Sequence, residues 1–427
     1  MDATGPSPRS LADARPVSAE ERLPTLDVLR GMALLGVLVA NVWFWFSGLF
    51  LRIAEFRPEL SRPTLDSAAY HLVSVFVSGR AISVFSFLFG VGLAVQALRA
   101  EARGADVVPL YRRRMAVLLG IGVAHGVLFW YGDILAVYAL LGFVLLLFRR
   151  RSDRTLLAWA AVLLVAVPLA WTAWTVLTRD TAAPAAAGAA AAAAAQRTAT
   201  LEAFQSVRPD RIVPENLRWI RHTYLGPIAL AIFPPVFGCF LLGLWAGRRR
   251  VFERVSGHAA AFRRLMVWGL GVGLTTGVAY EVVRTTVGSP TDARPWVPLV
   301  LSVLHVLAVV PLAAGGVSAT VLLLEHPAWR RRLGVFAPVG RMALTHYLSQ
   351  TVICLVIFYG GGLVGRVGVA AALAISLAVF AVQMAWSPWW LARFHFGPME
   401  WAWRSLTYGH PQPMRIRVPA VRPGLAA

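Results

Sequence analysis

Long apolar stretches separated by short arginine clusters dominate the chain. A stretch of roughly 20 mostly apolar residues is the length needed to cross the hydrocarbon core of a bilayer. By that measure ten spanning helices are predicted: Leu26 to Phe50, Tyr70 to Leu98, Arg114 to Trp130, Asp133 to Phe148, Leu156 to Leu177, Tyr224 to Gly247, Leu265 to Val287, Val297 to Leu324, Met342 to Leu363 and Val367 to Leu391. The expected fold is therefore all-α, a polytopic membrane helix bundle. The clusters Arg112 to Arg114, Arg149 to Arg154, Arg248 to Arg264 and Arg330 to Arg341 then share one side. Basic loops face the cytoplasm in most membranes, so that side and both termini are expected to be cytoplasmic, with the chain multi-pass in the cell membrane. The third and fourth spans read as a tight hairpin that turns at Tyr131-Gly132-Asp133 on the outer side.

This pattern divides the chain into a polar cytoplasmic tail (1–24), a first membrane half of five helices (25–177), an Ala-rich extracytoplasmic segment (178–223), a second half of five helices (224–393) and a cytoplasmic tail (394–427). The Ala run has too little apolar bulk to build a core, so a mobile loop with partial helix is expected. Its later part, Phe204 to Arg221, mixes charges with aromatics and is expected at the membrane surface. The first apolar run is too long and too far from the start for a cleaved signal peptide and reads as a retained anchor.

Composition agrees. A mean hydropathy of +0.63, with 58% hydrophobic and 15% charged residues in 427, excludes a soluble globular protein. The net charge of +20 would ordinarily raise nucleic acid as a partner. Here the charges sit in short clusters between apolar runs, which sets topology and leaves no continuous basic face, so no nucleic-acid partner is expected. Cys239 and Cys354 each lie inside an apolar run without a paired spacing, so they read as packing thiols, and no metal site is expected.

Polar groups inside spanning helices are costly and are functional candidates for that reason. Asp27, Arg30 and Asn41 stand on the first span, and Arg30 and Asn41 are eleven residues apart, about three turns, on one face. His125, in Gly120-Ile-Gly-Val-Ala-His125-Gly126, lies deep in the third span, with Asp133 following at the turn. Together they form a candidate acid–base pair; the alternative is a helix-packing histidine with Asp133 capping the next helix. Arg80 stays charged and needs an anionic or carbonyl partner, either an oxyanion or, internally, Asp27 or Asp66. Glu281 and Arg284 are spaced for a local salt bridge, as are Glu400 and Arg404, and His71 and His305 read as packing residues. Arg341, His346 and Gln350 open the ninth span with a dense polar stripe.

The opening Leu26-Asp27-x-Leu29-Arg30-Gly31, the run Phe87-Leu-Phe-Gly90-x-Gly92, the hairpin ending Gly132-Asp133-Ile134-Leu135, the stripe from Gly340 to Gln350 and the aromatic Gly397 to Tyr408 segment together resemble the bacterial domain-of-unknown-function 418 (DUF418) membrane family. The resemblance covers Arg22 to Tyr408. Two departures stand out: His346 occupies a place where asparagine is expected, and the Ala-rich segment looks peculiar to this chain. More loosely, Asp27-x-x-Arg30-Gly31 with the downstream Asn41 is similar to transmembrane acyltransferases, including heparan-alpha-glucosaminide N-acetyltransferase. That likeness implies acetyl transfer from cytosolic acetyl-CoA through a membrane-embedded histidine. No histidine closely follows Asn41, so their catalytic histidine has no counterpart there, and His125 is the substitute chosen on physical grounds.

Two functions follow as expectations. In an acyltransferase, Arg30, Arg341 and the Arg112, Arg113 and Arg114 cluster would hold the phosphates of an acyl-CoA co-substrate, with Asp27, His346 and Gln350 around it. His125 and Asp133 would activate an envelope sugar or lipid acceptor, and Asn41 or Arg80 would stabilise the oxyanion. No bound cofactor is expected. The alternative is a non-catalytic transporter or channel whose polar path carries a small solute or protons; the lack of a visible inverted repeat counts against a repeat-built transporter.

Overall fold

The computed structural model describes residues 22–51, 64–288 and 294–416. The polar stretch before residue 22 and the end of the C-terminal tail, 417–427, lie outside them. The described residues are helical throughout the core, with one isolated β-bridge, Phe394 to Arg415.

Among the described residues eight helical stretches are long and apolar enough to cross a membrane: Pro24–Phe46, Leu65–Ala102, Asp153–Leu177, Ala229–Arg248, Val255–Thr286, Trp296–Leu324, Ala343–Gly360 and Val369–Leu391. They correspond to eight of the ten predicted spans. The other two form the predicted hairpin but fall short of that standard. Its first arm, Val107–Leu128, carries three arginines inside it, and its second, Leu135–Phe148, has 14 residues, about 21 Å of helix against a core of about 30 Å.

In chain order, α1 (Pro24–Ala40) continues into a π-helical turn, Asn41–Phe46. Helices α2 (Leu65–Phe76) and α3 (Arg80–Ala102) are one apolar stretch broken at Gly79, whose φ of 77° suits glycine. The hairpin is α4 (Val107–Leu128) and α5 (Leu135–Phe148). Helices α6 (Asp153–Ala161) and α7 (Val167–Leu177) form the next span. Next come α8 (Arg179–Gln205), α9 (Pro209–Tyr224), α10 (Ala229–Arg248), α11 (Val255–Thr286) and α12 (Trp296–Leu324). Short α13 (Pro327–Leu333) and α14 (Ala337–Arg341) precede α15 (Ala343–Cys354), which runs into a second π-helical turn, Leu355–Gly360. Helices α16 (Val369–Leu391) and α17 (Pro398–Tyr408) complete the fold.

Helix α1 lies at the centre, against α3, α14, α15 and α16. It crosses α14 with backbones in contact: a Cβ on Gly340 would collide with the Asp27 carbonyl, and one on Gly31 with the Phe336 carbonyl. This close crossing sets Arg30 beside Arg341. Two of the arginine clusters meet, Arg248 donating to the Arg151 carbonyl (2.6 Å) and Arg249 to Asp153 (2.7 Å).

The segment expected as a loop with partial helix is helical along most of its length, in α8 and α9. Alanine has the highest helix propensity of any residue, and the segment is fastened to the core at the end opposite the arginines. Phe204 is buried between the rings of Tyr131 (5.8 Å) and Tyr359 (5.0 Å). Asn216 donates to the Val127 carbonyl (3.2 Å) and Gln205 to the Val364 carbonyl (3.0 Å). Glu215 accepts from Thr200, Arg218 and Trp219, tying α9 to α8.

Candidate functional site

The hairpin positions the central residues. Gly122 faces the backbone N–H of Ala136 so closely that any side chain would collide. The two arms therefore meet one turn before His125. Asp133 Oδ2 accepts from Ala136 N–H (2.8 Å), capping α5, while Oδ1 lies 2.8 Å from His125 Nδ1. Both residues are buried. A carboxylate can only accept, so Nδ1 is the donor of this bond and Nε2 faces away from the pair. It meets the hydroxyl of Thr351 on α15, 3.0 Å away. Asp133, His125 and Thr351 thus form one hydrogen-bonded chain across the hairpin and α15. The Tyr224 hydroxyl of α9 donates to the Asp133 carbonyl (2.8 Å) and anchors the turn from above.

An amphipathic cavity of about 290 Å³ approaches this chain from the arginine-rich end. Its mouth is walled by Arg22, Arg30, Arg99, Arg114, Arg341 and Arg404, with Asp27 and Glu400 as the acids among its lining residues. Its middle is apolar, with Leu34, Phe85, Phe89, Met115 and Leu118. Its far wall includes Ile134, Tyr138 and Tyr347. Tyr347 Oη accepts from Ile134 N–H (3.3 Å), and its ring lies 5.5 Å from that of His125. The cavity therefore ends one side chain short of the imidazole.

The electrostatics of the mouth favour an anion. Asp27 pairs with Arg30 (2.9 Å). Glu400 is committed elsewhere: it caps α15, accepting from Leu344 N–H (2.6 Å), Thr345 N–H (3.1 Å) and the Thr345 hydroxyl (2.5 Å). Burial lifts the Glu400 carboxyl above the ordinary carboxylate range, by more than those bonds lower it. Arg404 is pushed down to about 10, first by burial and then by the nearby charge of Arg114. Burial, then Arg341, likewise lowers Arg22. Arg114 stacks over Trp403 (4.1 Å) and Arg404 over Phe396 (4.6 Å), which orients the guanidinium groups without neutralising them.

Of the residues singled out in the sequence, Asp27, Arg30, Arg114 and Arg341 line this cavity, and His125 and Asp133 meet just beyond it. The others lie elsewhere. Arg112 is exposed, and Arg113 donates to the Leu406 carbonyl (3.0 Å) outside the cavity. His346 bonds Ser387 (2.7 Å) and Gln350 bonds Gln383 (2.8 Å), joining α15 to α16. Asn41 opens the π-helical turn after α1, away from the cavity wall.

Arg80 donates to the carbonyls of Ser74 (2.8 Å) and Ser78 (2.6 Å), closing the break between α2 and α3; its partners are neither Asp27 nor Asp66. Asp66 instead accepts from Ala370 N–H (2.8 Å). Glu281 and Arg284 form the expected pair (2.5 Å), joined by His71 (3.1 Å). Glu400 and Arg404 form no ion pair among the described residues, since Glu400 turns to α15. Among the described residues no group of three or more metal-ligating side chains is present.

Sequence reasoning missed Thr351, Tyr347, Glu400 as a cap, and Arg22, Arg99 and Arg404 at the mouth. Thr351 directly follows Gln350, so the polar stripe extended one residue further than it was read. Its meeting with His125 spans 226 residues of sequence, which no local pattern reports.

The family model described as protein of unknown function (DUF418) matches residues 246–410. The chain is 36% identical over 423 residues to the uncharacterized protein YxaH of Bacillus subtilis (strain 168), covering 95% of this chain and 98% of that protein. It is 29% identical to an uncharacterized 39.9 kDa protein in the amylase 3' region of Bacillus acidopullulyticus, covering 94% of this chain and 98% of the other. It is 27% identical to the uncharacterized protein YeiB of Escherichia coli (strain K12), covering 91% and 96%. No solved structure matches. Full-length similarity at this level, together with the family model over the second half of the fold, establishes that the chain belongs to the DUF418 family.

Proposed function

We propose that this protein is an acyltransferase of the cell membrane that moves an acyl group from a cytosolic acyl-CoA to a sugar or lipid of the cell envelope. The observation that carries the reading is the cavity itself, cationic at its mouth, apolar within, and ending on Tyr347 and Ile134 against the His125–Asp133 pair. A CoA ester has matching polarity. Arginines bind phosphate through paired hydrogen bonds, so Arg30, Arg114 and Arg341 hold the phosphates and the thioester points inward. Asp27 orients Arg30.

The Tyr347 oxygen rests on Ile134 N–H. When the thioester displaces that side chain, the freed N–H becomes a donor to the carbonyl oxygen as it takes on negative charge. The acceptor hydroxyl or amine attacks the carbonyl carbon; a C–O or C–N bond forms and the C–S bond breaks. The acceptor's proton passes to His125 Nε2 and from there to the departing thiolate. Asp133 fixes the imidazole tautomer and stabilises the imidazolium. On this reading Asn41, Arg80, Arg112, Arg113, His346 and Gln350 act away from the donor. Isotope-labelled acyl-CoA, supplied to membranes with and without the protein and followed into envelope glycans and lipids by mass spectrometry, tests the reading.

One observation favours a transporter instead: the 38-residue apolar stretch Leu65–Ala102 is broken at Gly79 and Arg80. Broken spans line solute paths in many transporters. Solute or proton flux through reconstituted proteoliposomes, without any acyl product, would favour that reading.

A further inference from the structure

We propose that Thr351 is the nucleophile that takes the acyl group first, so that transfer runs through an acyl-threonine ester held on α15. The inference rests on the acyl-transfer reading and deepens its step: the bonds broken and formed overall are the same, with Thr351 carrying the acyl group between donor and acceptor. Three parts of the fold supply the residues, the hairpin turn Asp133, α4 His125 and α15 Thr351. They stand in one line, with Asp133 Oδ1 2.8 Å from His125 Nδ1 and His125 Nε2 3.0 Å from Thr351 Oγ1. A hydroxyl within hydrogen-bond reach of a base, the base itself held by a third group, is the arrangement that activates a nucleophile.

Three features argue for attack by this hydroxyl. First, the bond has a direction. Nδ1 donates to Asp133, so the neutral imidazole offers Nε2 as an acceptor and the Thr351 hydroxyl is the donor, its proton already turned toward the base. Second, the hydroxyl forgoes the partner that a helix provides. Thr172, Thr276, Thr320 and Thr407 each donate to the carbonyl four residues earlier, the usual local bond of a helical threonine. Among the described residues the Thr351 hydroxyl is bonded to His125 alone. An outside acceptor would have to displace it to reach Nε2. Third, Thr351 lies one turn beyond Tyr347 on α15. When Tyr347 moves aside, a thioester entering from the cavity meets Thr351 and His125 behind it. Thr351 is 2%, His125 5% and Asp133 2% exposed, so bulk water is kept from an ester formed there.

The transfer then has two balanced halves. In the first, Thr351 Oγ1 attacks the thioester carbonyl and its proton moves to His125 Nε2. The acyl–oxygen bond forms, the acyl–sulfur bond breaks, and the imidazolium gives its proton to the departing thiolate. CoA leaves as the thiol. In the second, the acceptor hydroxyl or amine attacks the threonine ester and gives its proton to Nε2; the acyl–Thr351 bond breaks and the proton returns to Oγ1. Asp133 stabilises the imidazolium in both halves. Donor and acceptor therefore use the site in turn.

The test mixes isotope-labelled acetyl-CoA with the purified full-length protein in nanodiscs, away from envelope material, and quenches with acid at short times. Free CoA thiol is measured, and the digested protein is mapped by mass spectrometry. The expected result is a burst of thiol matching one acyl group per chain, with the label on Thr351 in the peptide Met342–Arg366. Thr351→Val and His125→Ala should lose both burst and label, and Thr351→Ser, which keeps the hydroxyl, should restore them. The same variants are then compared in whole membranes for labelled acyl product per folded molecule: Thr351→Val should lose it and Thr351→Ser should keep it. Product formed by the wild type in membranes, with no label on Thr351 or with undiminished product in Thr351→Val, overturns the nucleophile and leaves the transferase. Neither protein label nor membrane product with the wild type overturns both.

Discussion

Tyr347 separates the arginine-walled cavity from His125: its ring lies 5.5 Å from the imidazole, and its hydroxyl oxygen rests on the Ile134 N–H at the cavity's far wall. A phosphate-bearing donor held at the mouth would therefore present its inner end to the side chain that stands between the cavity and a buried histidine with its carboxylate partner.

The mouth distinguishes arginines that face the cavity from those that do not. Replacing Arg30, Arg114 and Arg341 together by Gln should weaken binding of a CoA ester by well over tenfold, because each charge-assisted bond contributes about 1.5–3 kcal/mol. Wild-type binding should fall as salt rises. Arg112→Gln, on an exposed side chain outside the cavity, should leave affinity unchanged. Isothermal titration with a non-hydrolysable CoA ester measures both. Loss of binding in Arg112→Gln with retention in the triple variant would place the donor elsewhere.

Gly122 holds the hairpin arms together at the level of His125 and Asp133. Gly122→Val should separate the arms, lower the melting temperature through overpacking of about 1–3 kcal/mol, and reduce transfer per folded molecule. Gly120→Ala meets open space and should leave turnover unchanged, while alanine's better helix propensity raises the melting temperature slightly. Thermal unfolding in detergent alongside turnover separates the two effects.

Glu400 ties pH to stability at the mouth. Burial raises its carboxyl above the ordinary value, so the folded state favours the protonated form. The stabilisation linked to that proton is fully present below the unfolded value of about 4.3 and is lost as pH rises through the raised folded value. Glu400→Gln should remove this dependence. The melting temperature of the wild type, relative to that variant, should decline with rising pH across the acidic range; a gap that widens in the wild type's favour would refute the assignment.

Sidedness is testable with two single cysteines, since native Cys239 and Cys354 are buried. Arg151→Cys, in the arginine-rich end, and Ala193→Cys, at an exposed position of α8, should react with a membrane-impermeant maleimide from opposite sides. Labelling of both from one side would contradict the topology.

Much of the fold was legible because a bilayer imposes a simple length rule. Every stretch of sufficient apolar length in the sequence, such as Val297 to Leu324, is a helix in the structure. The hairpin at Gly132 and the nearness of His125 and Asp133 were also readable, because eight residues and a tight turn leave the pair few ways to be apart. The Ala-rich segment was read as only partly helical: its lack of apolar bulk spoke against a core, while alanine's own propensity and the anchors at Phe204 and Asn216 extend the helix. At the site, spacing found arginines but could not say which face the cavity. Arg112 and Arg114 differ by two positions on a helix and so point apart. Glu400 was read as the i,i+4 partner of Arg404, but a helix N-terminus 55 residues earlier in the chain offers it three donors.

The measurement that bears most directly on acyl transfer compares labelled acyl products in membranes holding the wild type, His125→Ala or Asp133→Asn, normalised to folded protein. The account predicts a labelled envelope lipid or glycan with the wild type. It predicts a loss of about 10²- to 10⁴-fold in His125→Ala, the usual contribution of a positioned acid–base group, and a smaller loss in Asp133→Asn, whose role is to orient the base. Equal product per folded molecule in wild type and His125→Ala, with only the melting temperature reduced, would show a packing histidine and contradict the account.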